Sequence, residues 1–377
     1  MRDVRGIVFD GPGQPLRLEE LRLEPPGEHE ILVRMVASGV CHSDLHVVDG
    51  EWERPAGVVL GHEGAGIVEE LGPGVAERPK DAELGARGLR VGDLVTLAWN
   101  APCDACRACR HNEPWLCSRP DGSGHRLAPQ QVRLHRSDGS PIGAYSGIGT
   151  FAERQVVAAS AAIPVNQATP PEIAALIGCA VTTGFGAVLN TARVKAGESV
   201  VVIGLGGVGL TAVMGAVLAE ARVILAVDTS PTKLELATEA GATHTLAPAE
   251  DLRERIRELT DGGADHAIEA IGLTSTVEMA IDLVRPGGVA TLVGMTPMAQ
   301  RASFDVYRFV EDGKQIRGSN YGSSTPAVDF PRIASLYAEG RLPLDLLVTE
   351  RIGLDGLETA LDAMRRGDGV RRVVIFP

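Results

Sequence analysis

Hydrophobic and polar positions follow a pattern typical of β-strands in roughly the first 165 residues of the chain. Short β-branched or alternating runs lie between turns rich in glycine and proline. The predicted strands are 4–9, 16–23, 31–36 and 64–71. A charged stretch between Gly74 and Gly92 is expected to form a surface excursion. We therefore expect this part of the chain to be mainly β.

The rhythm changes near residue 170, where buried strands begin to alternate with helices. The predicted strands are 199–203, 222–227, 265–270 and 289–293. The predicted helices are 208–218, a segment that starts after Ser230 and ends at Gly241, 252–259 and 277–283. This alternation predicts a parallel, doubly wound α/β sheet. The tail, 319–377, is mixed in character and ends in a strand-like run at 372–376.

A glycine-rich turn joins the first strand and helix of this α/β part. The run GLGGVG at 204–209 follows a strand and opens a helix, which is the context of a dinucleotide-binding motif. Asp228 ends the next strand, where a carboxylate suits the ribose hydroxyls of NAD and repels the 2′-phosphate of NADP. The sequence thus predicts an NAD site. The same motif explains the apolar run 200–219, which is otherwise long enough for a membrane span.

Charge and composition narrow the possible functions. A chain of 377 residues with 44% hydrophobic residues has the size of two globular domains. Its net charge of −13 would repel phosphate backbones and anionic lipids, so neither nucleic acid nor a membrane is an expected partner. The N-terminal residues have no apolar core of a signal peptide, and we expect a cytoplasmic protein.

Four of the six cysteines lie close together in the sequence. Cys103, Cys106, Cys109 and Cys117 have the spacing of ligands that close a tetrahedron around a structural zinc ion. An iron–sulfur cluster is the main alternative, but bacterial ferredoxins place the fourth cysteine sooner and follow it with proline. Unligated thiols are the remaining alternative.

The other two cysteines lie far apart in the chain. Cys41 lies in GVCHSDLH and Cys179 in GCAVTTG, and between them GHEGAG contains His62. Taken singly, each of these residues has an ordinary structural explanation as a buried thiol or a loop histidine. Together with the four clustered cysteines, GLGGVG and Asp228, in this order, they resemble the zinc-dependent alcohol dehydrogenases of the medium-chain dehydrogenase/reductase superfamily. The resemblance covers essentially the whole chain.

This resemblance implies a particular domain organisation. A GroES-like, mainly-β catalytic domain would comprise residues 1–180 and 319–377, with a structural zinc lobe at about 100–118. A Rossmann domain that binds NAD would comprise residues 181–318. The active site would then lie in the cleft between these domains.

The resemblance also implies a catalytic zinc ion. Cys41, His62 and Cys179 would bind this ion and leave its fourth position to water or to the substrate oxygen. Zinc bound in this way lowers the pKa of an alcohol, and the nicotinamide accepts hydride. Two zinc ions per chain are therefore expected.

Further residues receive catalytic roles from the same resemblance. Ser43 and His46 would relay the alcohol proton to solvent, with His46 as the outer base. Asp44 would orient the zinc-binding histidine. Glu63 corresponds to an acidic neighbour that approaches the zinc during ligand exchange.

The coenzyme would contact residues from several segments. The implied coenzyme-binding residues are His42, Thr183, Gly204, Gly206, Gly207, Val208, Gly209, Asp228, Lys233 and Arg371. Among them, His42 and Arg371 would contact the pyrophosphate and Lys233 the adenosine ribose. Lys233 and Arg371 also have the ordinary explanation of solvated surface charges.

The resemblance favours an alcohol dehydrogenase that acts on primary aliphatic or aromatic alcohols and aldehydes with NAD. Trp52 and Trp99 align with positions that line the substrate pocket, although tryptophan is as common in a protein core. The main alternative is a formaldehyde dehydrogenase that oxidises an S-hydroxymethyl thiol adduct. A non-enzymatic zinc- or NAD-binding protein and a zinc-free quinone reductase are disfavoured. The long segment between Cys117 and Phe151 resembles that of the dimeric branch of the family, which predicts a homodimer.

Overall fold

A computed structural model describes residues 1–77, 88–118 and 132–377 of the chain. The charged stretch predicted as a surface excursion falls largely on residues 78–87, outside the described residues. Much of the long segment after Cys117, on which the dimer prediction rests, is also outside them, at 119–131.

The strands and helices follow one another along the whole described chain. The strands are β1 (Arg2–Phe9), β2 (Arg17–Leu23), β3 (Glu30–Gly39), β4 (Val58–Val59), β5 (Glu63–Leu71), β6 (Leu94–Leu97), β7 (Leu134–His135), β8 (Pro141–Ala144), β9 (Arg154–Ala158), β10 (Ala162–Pro164), β11 (Ser199–Ile203), β12 (Val223–Val227), β13 (His244–Leu246), β14 (Ala264–Glu269), β15 (Val284–Leu292), β16 (Gln315–Gly318), β17 (Val348–Ile352) and β18 (Arg371–Ile375). The α-helices are α1 (His42–Val48), α2 (Arg107–Arg110), α3 (Pro171–Leu176), α4 (Thr182–Gly186), α5 (Gly207–Leu218), α6 (Pro231–Glu239), α7 (Leu252–Thr260), α8 (Thr274–Leu283), α9 (Val306–Glu311), α10 (Pro326–Ala338) and α11 (Leu357–Arg365).

These elements form two compact units. The first unit comprises Met1–Cys179, Thr325–Gly340 and Val348–Pro377, and the second comprises Ala180–Ser324 and Arg341–Leu347. The predicted boundaries differ from this division in the tail, because residues 319–324 and 341–347 group with the second unit instead of the first.

Close packing explains why the segment before Thr325 belongs to the second unit. A Cβ atom at Gly186 would lie only 2.2 Å from the carbonyl oxygen of Gly322, so the two backbones are in direct contact. The side chain of Asn190 also donates a hydrogen bond of 3.2 Å to the Gly322 carbonyl. A sequence pattern does not reveal such contacts, because they depend on tertiary packing.

The first unit is mainly β, as the sequence predicts. Five of its strands close a barrel in the order β1-β2-β7-β8-β4. Its other strands form a sheet in the order β10-β6-β5-β3-β18-β17, in which β9 also pairs with β3. Apolar residues of these strands face the interior of the barrel. Val4 on β1, for example, lies opposite Leu21 on β2, and both are buried.

The second unit contains a parallel sheet with helices between its strands. The strand order is β13-β12-β11-β14-β15-β16, and the described pairs are all parallel. This is the order of a doubly wound dinucleotide-binding fold, and it confirms the predicted fold class. The glycine turn 204–209 follows the central strand β11 at the point where the strand order reverses, which is where such sheets bind ligands.

Apolar helical segments follow one another from Pro171 to Ala192. This stretch is long and apolar enough to span a membrane by composition, but 78% of its most apolar window is buried inside the protein. It is therefore a core helix. The run 200–219, which raised the same question in the sequence, forms the buried strand β11 and the helix α5.

Candidate metal and coenzyme sites

Three neighbouring strands of the first unit bring distant residues together. Cys41 follows β3, His62 precedes β5, and β3 pairs with both β5 and β18 through Gly39. Cys179 arrives from the helical turn that follows α3, which packs on β3 and β5. As a result, ligand atoms of Cys41, His62, Glu63 and Cys179 all lie within 4.8 Å of one another.

Asp44 fixes two of these ligands in place. Its carboxylate is fully buried and accepts hydrogen bonds from the backbone N–H of Cys41 at 3.2 Å and of Gly61 at 3.1 Å. It also lies 3.2 Å from Nδ1 of His62. When Nδ1 carries the proton of this bond, Nε2 keeps its lone pair for a metal. This is the orienting contact predicted for Asp44.

The two thiols of the site behave as a pair. A hydrogen bond between them lowers the pKa of Cys41 well below its ordinary value and raises the pKa of Cys179 well above its ordinary value. Burial lowers the pKa of His62, but the Asp44 carboxylate and the Cys41 thiolate outweigh burial and raise it. A dication in this position would be held by two thiolates and a neutral imidazole, since metal binding displaces their protons. The donors therefore fit a zinc ion.

Glu63 and Arg371 complete the charged surroundings of these ligands. Glu63 is fully buried, and burial raises the pKa of its carboxyl to about 8. Nη2 of Arg371 lies 3.4 Å from Oε1 of Glu63 and donates a hydrogen bond of 3.7 Å to the Cys41 sulfur. The hypothesis of a solvated surface charge is therefore wrong for Arg371, which is 6% exposed because β18 carries it into the sheet. Its predicted pyrophosphate contact stays a prediction.

The four clustered cysteines also converge. The sulfurs of Cys103 and Cys109 are 3.9 Å apart, and those of Cys106 and Cys117 are 4.0 Å apart. A tetrahedral zinc site with Zn–S bonds of about 2.3 Å has sulfurs about 3.8 Å apart, so the geometry fits. The backbone N–H groups of Cys106 and Cys109 donate to sulfurs of the cluster, and the hydrogen bond from Cys109 lowers the pKa of Cys106 to about 6.

The predicted relay residues lie on the helix that begins at the first ligand. Ser43 and His46 are three residues apart on α1, which places them on the same face of the helix. Ser43 is half-buried, and the His46 side chain is 13% exposed. The helix thus leads from the buried thiol outward. His42, also on α1, is exposed, and its ring centre lies 5.4 Å from that of His46.

The glycine turn of the second unit is built as the motif requires. A Cβ at Gly209 would lie 1.7 Å from the carbonyl oxygen of Gly204, so helix α5 starts in direct contact with the turn. Around Gly206, in contrast, no atom lies within 4 Å of a Cβ position, which leaves space for a pyrophosphate. Asp228 accepts a 2.7 Å hydrogen bond from Leu205 N–H and so stands beside the turn. The turn therefore fits a dinucleotide.

The remaining predicted coenzyme residues of the second unit lie on three helices. Gly207 is the first residue of α5, and Val208 follows it. Gly184 packs against the Val208 carbonyl, since a Cβ there would be 2.0 Å away, and this contact brings Thr183 on α4 next to α5. Lys233 is half-buried on α6.

Aromatic side chains contact one relay residue and one metal ligand. Trp52 is 5% exposed, and its ring stacks on that of His46 with centres 4.5 Å apart. Trp99 is half-buried and packs against the same hydrophobic core. Tyr145, which the sequence reasoning missed, meets the His62 ring edge-on at 5.6 Å. Tyr145 belongs to no motif in the sequence. It follows the end of β8 directly, and the fold brings it to the site.

Comparisons with known proteins agree with this geometry. The family model described as "Alcohol dehydrogenase GroES-like domain" matches residues 27–167, and "Zinc-binding dehydrogenase" matches residues 207–339. An "NDMA-dependent alcohol dehydrogenase" of Amycolatopsis methanolica is 34% identical over 98% of each chain. An "S-(hydroxymethyl)glutathione dehydrogenase" of Escherichia coli is 34% identical over 99% of each chain. The crystal structure of benzyl alcohol dehydrogenase from Acinetobacter calcoaceticus is similar over 100% of both chains, with a TM-score of 0.90 and 31% identity.

The contacts of Asp44 lead to a prediction about metal affinity. In Asp44→Asn, one carboxylate oxygen becomes an NH2 group that cannot accept, so the side chain cannot satisfy Cys41 N–H through one atom and Gly61 N–H and His62 through the other at the same time. We expect zinc affinity at the Cys41 cluster to fall by about 10- to 100-fold. Titration with a coloured chelator measures this affinity. Asp329→Asn, which changes a buried carboxylate that accepts from the Thr325 N–H, serves as the control, and equal zinc loss in both variants would contradict the orienting role.

Proposed function

Because the chain belongs to the zinc-dependent alcohol dehydrogenases of the medium-chain dehydrogenase/reductase superfamily, we propose that it transfers hydride reversibly between a primary alcohol or aldehyde and NAD. One observation carries this proposal. Cys41, His62 and Cys179, from three distant segments, converge at one buried point, beside a Glu63 carboxylate that lies 3.4 Å from Arg371. Three nitrogen and sulfur ligands are typical of catalytic zinc, which keeps a position for substrate, whereas structural zinc takes four.

Different residues of the chain would bind the metal and transfer the proton. Zinc would polarise the alcohol oxygen and NAD would accept the hydride. Cys41, His62 and Cys179 would hold the metal. Ser43 would accept the alcohol proton, and His46, the most distant of these groups along α1, would pass it to solvent.

A second zinc ion would be structural. The four sulfurs of the Cys103 cluster supply a complete tetrahedral set, and this supports zinc without an open position. Two zinc ions per chain follow from the two clusters. Iron remains the alternative for the four-cysteine cluster, and metal analysis decides between them.

Asp228 supports NAD as the coenzyme. Its Oδ1 accepts from Ser230 N–H at 2.9 Å and its Oδ2 from Leu205 N–H, so the carboxylate is held beside the glycine turn. A fixed negative charge there would repel the 2′-phosphate of NADP.

The substrate is proposed at the level of its class. The benzyl alcohol dehydrogenase relative and the aromatic rings of Trp52 and Tyr145 near the ligands and the relay favour aromatic as well as aliphatic primary alcohols. The S-(hydroxymethyl)glutathione dehydrogenase relative supports the alternative substrate, a hydroxymethyl thiol adduct.

Two further proposals concern the protein in its environment. We propose a homodimer, which the sheet-edge strand β16 and the exposed apolar residues of the segment before it, Phe304, Val306, Tyr307 and Val310, support. We also propose a cytoplasmic location.

A substrate panel tests the function directly. The zinc-loaded protein is mixed with NAD and with ethanol, longer aliphatic alcohols, benzyl alcohol, or formaldehyde with and without glutathione, and NADH absorbance is followed. We expect turnover of primary alcohols without added thiol. Activity that needs both formaldehyde and thiol would favour the alternative. A parallel series with NDMA as oxidant tests whether the protein shares the dependence in the name of the Amycolatopsis methanolica relative.

Replacement of a metal ligand tests the site. In Cys41→Ser we expect turnover to fall at least about 10³-fold, because the metal loses a thiolate on which its geometry depends. Circular dichroism should remain that of the folded protein. Ala180→Ser, which adds a hydroxyl next to another ligand, controls for the added polar group. Substantial turnover by Cys41→Ser would remove the proposed zinc site from the reaction.

Replacement of Asp228 tests the coenzyme. Asp228→Gly removes both the negative charge and the acceptor for ribose hydroxyls, so we expect KM for NAD to rise by about 10-fold or more and the preference over NADP to shrink. Steady-state kinetics with both coenzymes measure this. Glu235→Gln on the exposed side of α6 is the charge-matched control. An unchanged ratio of kcat/KM for the two coenzymes would contradict the assignment.

A further inference from the structure

A glutamate with no assigned function contacts His46. Nδ1 of His46 hydrogen-bonds to Oε2 of Glu51. The His46 side chain is 13% exposed and that of Glu51 42% exposed, so the pair lies where the face of α1 reaches solvent. Glu51 belongs to no motif in the sequence, and it is the fifth residue after the histidine.

The end of helix α1 builds this contact. The N–H of Gly50 donates to the carbonyl of Val47 at 3.1 Å, and the N–H of Glu51 donates to the carbonyl of His46 at 2.9 Å. Together with the φ of +75° at Gly50, these two bonds form a Schellman motif. The motif turns the chain back, so Glu51 lies beside the residue whose side chain it contacts.

Trp52, the residue after Glu51, contacts His46 through both its backbone and its ring. Trp52 also donates its backbone N–H to the His46 carbonyl, at 3.1 Å, and its ring stacks on the imidazole with an interplanar angle of 21°. Since Trp52 is 5% exposed, its ring is a fixed surface against which His46 rests. The imidazole is therefore held at its edge by a carboxylate and on its face by an indole.

We propose that Glu51 is a positioning residue for proton release, which acts by holding His46 through Nδ1 with Nε2 left as the proton acceptor. This proposal rests on the proposed function, in which His46 passes the alcohol proton to solvent. In neutral His46, Nδ1–H donates to Glu51 and the lone pair of Nε2 is free to accept. The proton bonds to Nε2, the carboxylate offsets the charge of the imidazolium, and a water molecule or buffer base then takes a proton and restores neutral His46.

Other charged groups near His46 define what the test must separate. His42 lies on the same helix at 5.4 Å between ring centres. Arg54 lies 5.9 Å from the centre of the Trp52 ring. At the end of α1, Asp49 pairs with Arg365 of α11 at 2.5 Å. The Glu51 carboxylate, in contrast, forms a direct hydrogen bond with the His46 ring.

The experiment compares Glu51→Gln with Glu53→Gln. Glu53 is an exposed glutamate two residues further along the same loop, and its substitution removes the same charge. Two quantities are measured for each zinc-loaded protein. One is the titration of the His46 ring by NMR, assigned through His46→Asn among the nine histidines. The other is kcat/KM for the alcohol as a function of pH.

We expect Glu51→Gln to make His46 a weaker proton acceptor, because a carboxylate stabilises the imidazolium and an amide does not. The NMR midpoint and the acid limb of the rate profile should both move to lower pH than in the wild-type protein. Above the limb, kcat/KM should fall by about 3- to 10-fold, as general base catalysis weakens with basicity and orientation. Glu53→Gln should leave both curves in place.

Several results would overturn the proposal. One is an unchanged His46 titration in Glu51→Gln. Another is a rate that falls equally at every pH, because a merely structural role would give that result. If the wild-type protein oxidised no alcohol, the proposed function would fail. The NMR titration would then still decide whether Glu51 holds His46, and an unchanged midpoint would overturn that as well.

Discussion

The pairing of β3 with β5 and β18 is the constraint on which the metal site depends. Gly39 at the end of β3 lies opposite Glu63 on one side and Val373 on the other, so Cys41, His62 and Arg371 reach the same end of one sheet. Each of these side chains is polar and buried. Burying such groups is costly unless each finds a partner, and a zinc ion would be the partner that satisfies two thiolates and an imidazole together.

Local sequence patterns predict the strands and helices of the second unit well, because these elements depend on the spacing of apolar residues along the chain. Strand β11 (Ser199–Ile203) has the bounds predicted from the sequence, and the helix after it begins at Gly207, one residue before the predicted start. The metal ligands are also accessible from sequence, since thiols and imidazoles within such motifs are rare and chemically specific. In the tail, the helices α10 and α11 went unpredicted. The proline inside α10 is untypical of a helix interior, whereas the apolar residues of α11 do recur with helical spacing.

Contacts that depend on tertiary structure lie beyond such reasoning. Arg371 starts the last strand, and only the pairing of β18 with β3 shows that its guanidinium reaches Cys41 and Glu63. Tyr145 and Glu51 carry no motif, and their positions follow from the end of β8 and from the turn after α1.

X-ray absorption at the zinc edge, combined with metal analysis, tests the central claim most directly. Four thiolates at one site, and two thiolates, one imidazole and one oxygen at the other, average to about three sulfur and one nitrogen or oxygen neighbour per zinc. We expect about two zinc ions per chain with that average shell. A shell of sulfur alone, around one zinc ion or two, would contradict this claim, because Cys41, His62 and Cys179 would then hold no metal.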